Sequence, residues 1–258
     1  MNKKLTILLT MIAISTIVFT SSVVLAISGE EVLDKVDQTL DSKGRKSEIS
    51  MTIINANDQK RNRTIEIISK GDNKGLVQFL SPADVEGTSF LTLTEDGKEN
   101  MWLYLPAIGK VRKIASHMRN GSFMGTDFTY NDISMVGGSD YRDDYNSSLE
   151  DEVKYNGKDC YLLKTVPTKE DIEYAKMKMW VNKENYMPLK MEFYDSDGKL
   201  LKIMKNVNIE KIDGHLTPNK ITMENVQENT KTILALNKVK YNVEIPDRIF
   251  TTRYIQQQ

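Results

Sequence analysis

Residues 174–212, YAKMKMWVNKENYMPLKMEFYDSDGKLLKIMKNVNIEKI, alternate apolar and polar side chains in three successive segments. The apolar sets are Ala175, Met177, Met179 and Val181, then Leu189, Met191 and Phe193, and last Leu201, Ile203, Val207 and Ile209. In the third segment Lys202, Asn206 and Asn208 fall on the opposite face. Alternation with a period of two is typical of strands with one buried face. The turn DSDGK at 195–199 is typical of hairpins, so the stretch predicts consecutive antiparallel strands.

The same alternation and short turns recur along most of the chain and predict about a dozen strands in meander order. An antiparallel sheet of this width twists and curls, and its interior becomes wider than its own side chains can fill. We therefore predict a mainly β fold with one strongly curved sheet around a cavity. Many inward candidates are methionines, whose flexible side chains suit either core filling or contact with acyl chains. These are Met51, Met101, Met177, Met179, Met191 and Met223.

One amphipathic helix is predicted at Ser28–Leu40, before the first strand. Ser28 and Glu31 match a capping box, and the apolar residues recur at helical spacing. The apolar stripe consists of Val32, Leu33, Val36 and Leu40. We expect this helix to lie against the concave side of the sheet, because its stripe needs an apolar surface to pack on.

The N-terminus has the pattern of a signal peptide. Lys3 and Lys4 precede an uncharged apolar run that ends in SSVVLA at Ala26, with small residues where a signal peptidase reads them. We predict cleavage after Ala26, which leaves one domain at 27–258; an uncleaved membrane anchor is the alternative. Ile27 is not a cysteine, so the pattern does not suggest an acylated lipoprotein. The predicted localisation is periplasmic, or outside the cytoplasmic membrane or secreted where no outer membrane exists.

Charge and cysteine content narrow the class of protein. The full chain has 35 Lys and Arg against 36 Asp and Glu, and loss of Lys3 and Lys4 would leave 33 against 36. This balance gives no electrostatic basis for binding nucleic acid. Cys160 is the single cysteine, so no internal disulfide is possible. Cys160 alternates with Leu162, and we expect it to be a buried strand residue.

Residues 119–134, RNGSFMGTDFTYNDIS, fit neither the strand nor the helix period. The apolar residues of this segment are Phe123, Met124, Phe128 and Tyr130, and the residues around them are Gly121, Gly125, Asp127 and Asp132. Surface loops rarely display so much apolar area. The glycines give the backbone freedom to turn inward. The two aspartates are expected to accept hydrogen bonds from nearby backbone amides.

Recognisable catalytic chemistry is missing from the sequence. His117 and His215 are the only histidines and lie in turn-rich stretches, where a histidine is usually solvated. No nucleophile elbow, metal-binding or phosphate-binding motif occurs. The turn at 195–199 lacks the further ligands of a calcium loop. We therefore predict no enzyme activity, no catalytic residue, no metal and no cofactor, although distant strands can also assemble a site.

Three segments within Phe79–Ile133 resemble a known family: FLSPADVEGTSFL, MWLYLPAIGKVRKI and SFMGTDFTYNDI. The resemblance is to the exported outer membrane lipoprotein-sorting proteins, relatives of the LolA and LolB lipoprotein carriers and of the RseB stress sensor. The layout of one helix and then a meander extends the resemblance over nearly all of the mature chain. It implies an incomplete β-barrel whose hollow face is partly covered by helices and loops. In the carriers that hollow receives the acyl chains of lipoproteins.

The resemblance gives an expectation for the ligand site. The 119–134 loop would face the hollow as a mobile lid or a fixed plug, or it would be ordinary core. The residues predicted to contact acyl chains are Trp102, Tyr104, Phe123, Met124, Phe128 and Tyr130. Trp102 and Tyr104 share one strand face, opposite Met101 and Leu103, so one of the two sets must look inward. Arg112 and Lys113 are either a basic rim for an anionic head group or a solvated strand.

Two functions follow from the resemblance. The first is an exported, monomeric carrier that binds lipid or lipoprotein acyl chains for transport or sorting in the cell envelope. A membrane-embedded lipid or lipoprotein exporter is a candidate partner of such a carrier. The alternative is an RseB-like envelope sensor or adaptor that detects a lipidated partner without transporting it. An enzyme acting on lipid or envelope substrates is a weaker third class.

Overall fold

The computed structural model describes residues 27–138, 145–168 and 173–257. The predicted signal peptide, 1–26, lies outside the described residues. A helix, α1 (Gly29–Leu40), opens the described chain, and its cap is the predicted one. The Ser28 hydroxyl accepts from the Glu31 amide, and the Glu31 carboxylate accepts from the Ser28 amide. Three residues of the predicted stripe are buried, but Leu40 is 41% exposed.

Thirteen strands follow α1. They are β1 (Arg45–Ile54), β2 (Lys60–Lys70), β3 (Lys74–Ser81), β4 (Ser89–Glu95), β5 (Lys98–Leu105), β6 (Lys110–Lys113), β7 (Tyr145–Tyr155), β8 (Lys158–Pro167), β9 (Lys176–Asn182), β10 (Pro188–Tyr194), β11 (Leu200–Ile212), β12 (His215–Asn225) and β13 (Thr230–Tyr241). Two further helices are α2 (Tyr130–Gly137) and α3 (Thr252–Ile255). None of the helices in the described part of the chain is long and apolar enough to cross a membrane.

All thirteen strands form one antiparallel sheet that does not close into a barrel. The order is β6-β5-β4-β3-β2-β1-β13-β12-β11-β10-β9-β8-β7. The sheet is therefore two meanders, β1–β6 and β7–β13, joined side by side through the pairing of β1 with β13. The predicted fold class is confirmed, with one addition: the chain leaves one edge of the sheet after β6 and enters the opposite edge at β7.

That crossing explains the segment that fits no regular period. A chain that joins the two edges of a curved sheet must pass over one of its faces. Residues 114–138 cross the concave face, where Phe123, Phe128 and Ile133 belong to the buried core. The last part of this segment forms the helix α2 (Tyr130–Gly137). The sequence pattern did not predict this helix.

The curvature of the sheet is visible in the contacts of α1. This helix contacts β7 and β8 near one edge and also β12, which is separated from β8 by three strands. Its first turn packs closely on β7: a side chain on Gly29 would meet the Ser148 backbone at 2.4 Å. The Glu30 carboxylate accepts from the Ser147 amide at 2.5 Å. The helix thus occupies the concave side and covers part of an exposed edge strand, as expected.

Most of the predicted strand faces are confirmed. Met177, Met179 and Val181 on β9 are fully buried, as is Cys160 on β8. On β9 the predicted start is wrong, because Ala175 is exposed and Tyr174 is buried. On β11 the prediction for the polar face is wrong as well, because Lys202 and Asn206 point to the concave side. Met204, which lies between them on the same face, also points there. Lys202 is paired with Phe193 and Met204 with Met191, so these neighbours share a face.

A second apolar cluster covers the convex face of β2–β5. It is built from Ile68, Leu76, Leu91 and Tyr104 with Ile245, Ile249, Phe250 and Ile255 of the C-terminal segment. Trp102 packs against this cluster. The exposed Asp247 carboxylate forms ion pairs with the ammonium groups of Lys70 and Lys74, each at 2.8 Å. The C-terminal segment therefore closes the convex side of the first meander and leaves the concave side to the helices.

Candidate functional site

The aromatic part of the crossing segment is packed as core. Phe123 and Phe128 are fully buried. The Phe123 ring lies 5.8 Å from Phe79, 5.3 Å from Phe90 and 5.5 Å from Tyr130, the last in an edge-on arrangement. Such offset and edge-on contacts are the favourable ones between aromatic rings. These residues fill one end of the concave face, over β3 and β4.

Hydrogen bonds fix this part of the segment to the sheet. The Arg63 guanidinium donates to the Met124 carbonyl at 2.7 Å. The Asp127 carboxylate accepts from the hydroxyls of Thr230 and Thr232. Asp127 was predicted to accept hydrogen bonds from backbone amides. This prediction is wrong, because the donors are the side-chain hydroxyls of two threonines of β13. We call residues 119–129 the plug.

The turn of the plug needs one of the two predicted glycines. Met124 and Gly125 have φ of +51° and +74°, in the region that favours glycine. Gly121 does not adopt this conformation, so the expectation holds for Gly125 alone. A hydroxyl of Thr126 donates to the Phe123 carbonyl at 2.7 Å and closes the turn internally.

Asp132 accepts a backbone hydrogen bond as predicted, and it does so as a helix cap. The Thr129 hydroxyl accepts from the Asp132 amide, and Asp132 Oδ2 accepts from the Thr129 amide at 2.8 Å. The same oxygen accepts from the Tyr174 hydroxyl at 2.8 Å. The buried Lys202 ammonium donates to that hydroxyl at 3.1 Å and lies 3.5 Å from a Glu173 oxygen. This polar chain holds the start of α2 over β9 and β11.

Burial governs the protonation of this polar chain. Loss of water contact raises the pKa of Tyr174 well above its ordinary value, and the nearby carboxylate of Asp132 raises it further. Burial also raises the pKa of Glu173, against the opposing effect of Lys202. The tyrosine therefore stays neutral and donates to Asp132.

Trp102 and Tyr104 do not join the plug. They lie on the convex face of β5, beneath the C-terminal segment, while Met101 and Leu103 face the concave core. The prediction that one of the two sets looks inward is confirmed for Met101 and Leu103. The placement of Trp102 and Tyr104 in an apolar hollow is therefore wrong, because their side of the strand is already covered.

The predicted basic rim is divided between the two faces of β6. Arg112 is paired with Leu103 and Lys113 with Trp102, so their side chains point to opposite sides. The Lys113 ammonium lies 5.8 Å from the Trp102 ring centroid, on the convex side. Both residues are exposed. Neither lies among the residues that line the cavities described next.

Open space on the concave side lies between α1, α2 and the second meander. A cavity there leaves about 910 Å³ of empty space, counting the part open to solvent. It is lined by the end of α1, by α2 and by strands β10–β13. Five of its lining residues are methionines: Met135, Met187, Met191, Met204 and Met223. All six methionines predicted from the sequence are buried. Met191 and Met223 line this cavity, whereas Met51, Met101, Met177 and Met179 do not.

A second cavity adjoins the first over β1, β2 and β13 and leaves about 450 Å³ of empty space, again counting the part open to solvent. The two share the lining residues Arg45, Val136, Pro218, Ile221 and Tyr241, so they are branches of one space. We call the two together the hollow. The apolar lining of the second branch is Ile49, Ile67, Leu234 and Leu236.

Polar side chains are few at the junction of the two branches. Arg45 Nη2 donates to the Val136 carbonyl of α2 at 2.7 Å. The Tyr241 ring stacks on His215 with 4.3 Å between centroids, and its hydroxyl lies 2.9 Å from that of Thr217. His215 is thus half-buried at the hollow, and the expectation of a solvated loop histidine is wrong.

The lining of the hollow is suited to a ligand. It is mainly aliphatic and thioether carbon with a few convergent polar groups, the pattern of a small-molecule site. Within the described ranges, no group of three or more His, Cys, Asp or Glu side chains is placed to hold a metal ion. The thiol of Cys160 is buried, and burial raises its pKa, so it is not an activated nucleophile.

Sequence reasoning missed most of the hollow, although one signal was available. Arg45 is in phase with Ile49 and Met51 on the buried face of β1. A cationic side chain on the buried face of a strand indicates either the end of the strand or a polar site within the interior of the protein. Met135 and Val136 had no such signal, because their segment shows no helical period.

Comparison with known proteins agrees with this architecture. The DUF1329-like family model, whose description reads "Uncharacterized protein", matches residues 71–257. No curated protein matches the sequence. A DUF1329 family protein from Desulfovibrio piger superimposes with a TM-score of 0.82 at 29% identity, covering 88% of this chain and 97% of its own.

Two further solved structures are similar. A domain described as an outer membrane lipoprotein-sorting protein, from Vibrio parahaemolyticus, has a TM-score of 0.82 and 29% identity, and covers 88% of this chain and 98% of its own. A LolA superfamily protein from Nitrosomonas europaea has a TM-score of 0.74 and 23% identity, covering 89% and 100%. The similarity to the LolA superfamily protein is a similarity of fold alone.

Proposed function

We propose that this chain, which belongs to the DUF1329-like family, is an exported carrier that binds lipid or lipoprotein acyl chains in the hollow. The observation that carries the proposal is the methionine-rich space between the two helices and strands β10–β13. Methionine side chains adapt to flexible apolar ligands at low cost. The likeness to a lipoprotein-sorting domain supports a role of the same kind.

The free energy gained by burying an acyl chain permits reversible binding of a lipid. Burial of an acyl chain gains about 0.8 kcal/mol per methylene. About twelve methylenes therefore gain about 10 kcal/mol, and the entropy that the flexible lipid loses on binding offsets part of this gain, so binding stays reversible. A carrier needs reversible binding, because it must also release its cargo. No chemical step on the ligand is part of the proposal.

The site proposed here differs from the one that the sequence suggested. Phe123, Met124, Phe128 and Tyr130 pack in or against the core at the plug end, away from the residues lining the hollow. Their contribution is to close that end of the concave face. The ligand contacts move to Met191, Met204, Ile221 and their neighbours.

Mass spectrometry of lipids extracted from the exported protein tests the proposal. A lipid recovered in stoichiometric amount, and displaced by added fatty acid, supports a carrier. Protein that carries no lipid and shows no saturable lipid binding contradicts it. The same preparation tests export, because N-terminal sequencing of processed protein should begin at Ile27.

The alternative of an RseB-like sensor uses the same fold and differs in its partner. Membrane-embedded exporter components co-purifying with the lipid-loaded protein would favour the carrier. A regulatory protein bound only in the presence of lipid would favour the sensor.

A further inference from the structure

The junction of the two branches of the hollow holds a cation, Arg45, that has no counter-ion among the described residues. Arg45 lines both branches. None of the ion pairs within the described ranges includes Arg45. Its Nε is buried and has no hydrogen-bond partner there. Burial lowers the pKa of Arg45, and the neighbouring Tyr241 acts in the opposite direction.

The carboxylate of Asp132 does not neutralise the Arg45 guanidinium. Among the described residues, Asp132 is the only acidic one that lines the hollow. Its Oδ2 already accepts from the Thr129 amide and the Tyr174 hydroxyl. Its Oδ1 is buried and has no hydrogen-bond partner within the described ranges, so it makes no bond to Arg45.

A structural role accounts for only part of this arrangement. One Nη of Arg45 satisfies the Val136 carbonyl near the C-terminal end of α2, where a cation is favourable. A buried guanidinium that lacks an anion is costly, and the unpaired Nε adds the cost of an unmade hydrogen bond. Both costs disappear when a carboxylate or phosphate binds, because its oxygens match the guanidinium fork.

We propose that Arg45 receives the anionic head group of an acyl-chain ligand, so that the hollow selects amphiphiles ending in a carboxylate or phosphate over neutral ones. This inference rests on the proposed function. The anionic oxygens lie at the junction beside Arg45, and the chain extends along Met191, Met204 and Met223 in the larger branch. A neutral ligand fills the same apolar space and leaves the guanidinium unpaired.

Competition against a neutral fluorescent probe, N-phenyl-1-naphthylamine, tests the selectivity. The competitors are dodecanoate, dodecyl phosphate and dodecanol, which share one chain and differ in the head. We expect wild type to bind each anion at least about tenfold more tightly than the alcohol, the effect of one charge-assisted hydrogen bond. The ratio between the two anions shows whether carboxylate or phosphate is the better match.

Variants locate the source of the selectivity. Arg45→Met should bind dodecanol as wild type does and lose the preference for both anions, whereas Arg45→Lys should keep part of it. Arg63→Met is the matched control, because Arg63 also donates to a backbone carbonyl, that of Met124, outside the hollow. It should retain the full preference. Thermal unfolding checks each variant, and Arg45→Gln replaces Arg45→Met if the latter does not fold.

Each outcome decides between the two claims. Equal binding of alcohol and anions by wild type overturns the role of Arg45 but leaves acyl-chain binding standing. An anion preference that survives in Arg45→Met, or that Arg63→Met loses, also overturns it. Failure of the probe and of all three competitors to bind overturns the proposed function, and the role of Arg45 falls with it.

Discussion

The Asp127 carboxylate accepts a hydrogen bond from the Thr232 hydroxyl at 2.6 Å, although the two residues are 105 positions apart in the chain. The Asp127 amide donates to the same hydroxyl at 3.0 Å, and Thr230 donates to the other carboxylate oxygen. These bonds fix the plug to β13 at the centre of the sheet. They indicate that the plug belongs to the folded core, whereas α2, which follows the plug in the chain, lines the hollow.

Loss of the Thr232 hydroxyl should destabilise the whole protein. Thr232→Val keeps the shape of the side chain but leaves the buried Asp127 without one donor. We expect the free energy of unfolding to fall by about 1–3 kcal/mol, measured by urea denaturation. Thr222→Val, on the convex side of β12, is the control and should change it by less than about 0.5 kcal/mol. Equal effects of the two variants would contradict the anchoring role.

Hydrogen exchange should separate the plug from a mobile lid. We expect amides of residues 121–128 to exchange as slowly as those of the strands, with or without ligand, because their side chains are buried and bonded to the sheet. Rapid exchange that slows when a fatty acid is added would show that this segment is a lid.

Filling the hollow should block the ligand without disturbing the fold. Ile221 lines both branches, and its neighbour Thr222 points to the convex side. Ile221→Trp should weaken fatty acid binding at least about tenfold, since its added bulk removes several methylene contacts. Thr222→Trp should bind as wild type. Fluorescence titration measures both, and wild-type affinity in Ile221→Trp would place the ligand elsewhere.

The C-terminal segment should show a pH-dependent anchor. Hydrogen bonds from Lys70 and then Lys74 lower the pKa of Asp247 to about 2. Because the folded pKa lies below the unfolded value of about 3.9, the stabilisation is present above that value and is lost as the pH falls towards 2. NMR titration of the Asp247 carboxylate checks this. Lys70→Ala should raise the pKa, whereas an ordinary pKa in wild type would show that the ion pair is absent in solution.

Local signals predicted the regular elements well. The capping box at Ser28 and Glu31 located α1 within one residue. The alternation of Met177, Met179 and Val181 gave the buried face of β9. Such signals depend on near neighbours in the chain, which is why a single sequence contains them.

The hollow depends on features that the alternation conceals. In β13, Asn237 has no partner in the register with β1, so the inward face passes from Leu236 to Val239 and Tyr241. A strict period of two would have turned Tyr241 outward. On β11, Lys202 faces inward because Glu173 and Tyr174 supply its partners. Both cases need knowledge of strand pairing across long stretches of chain.

Photo-crosslinking with a diazirine-labelled fatty acid, followed by mass spectrometric mapping, tests the position of the ligand most directly. We expect crosslinks on α2 and strands β10–β12, at Met135, Met191, Met204 or Ile221, and their loss when unlabelled fatty acid is added in excess. Crosslinks at Phe123, Phe128, Trp102 or Tyr104, or labelling that excess fatty acid does not reduce, would contradict a ligand site in the hollow.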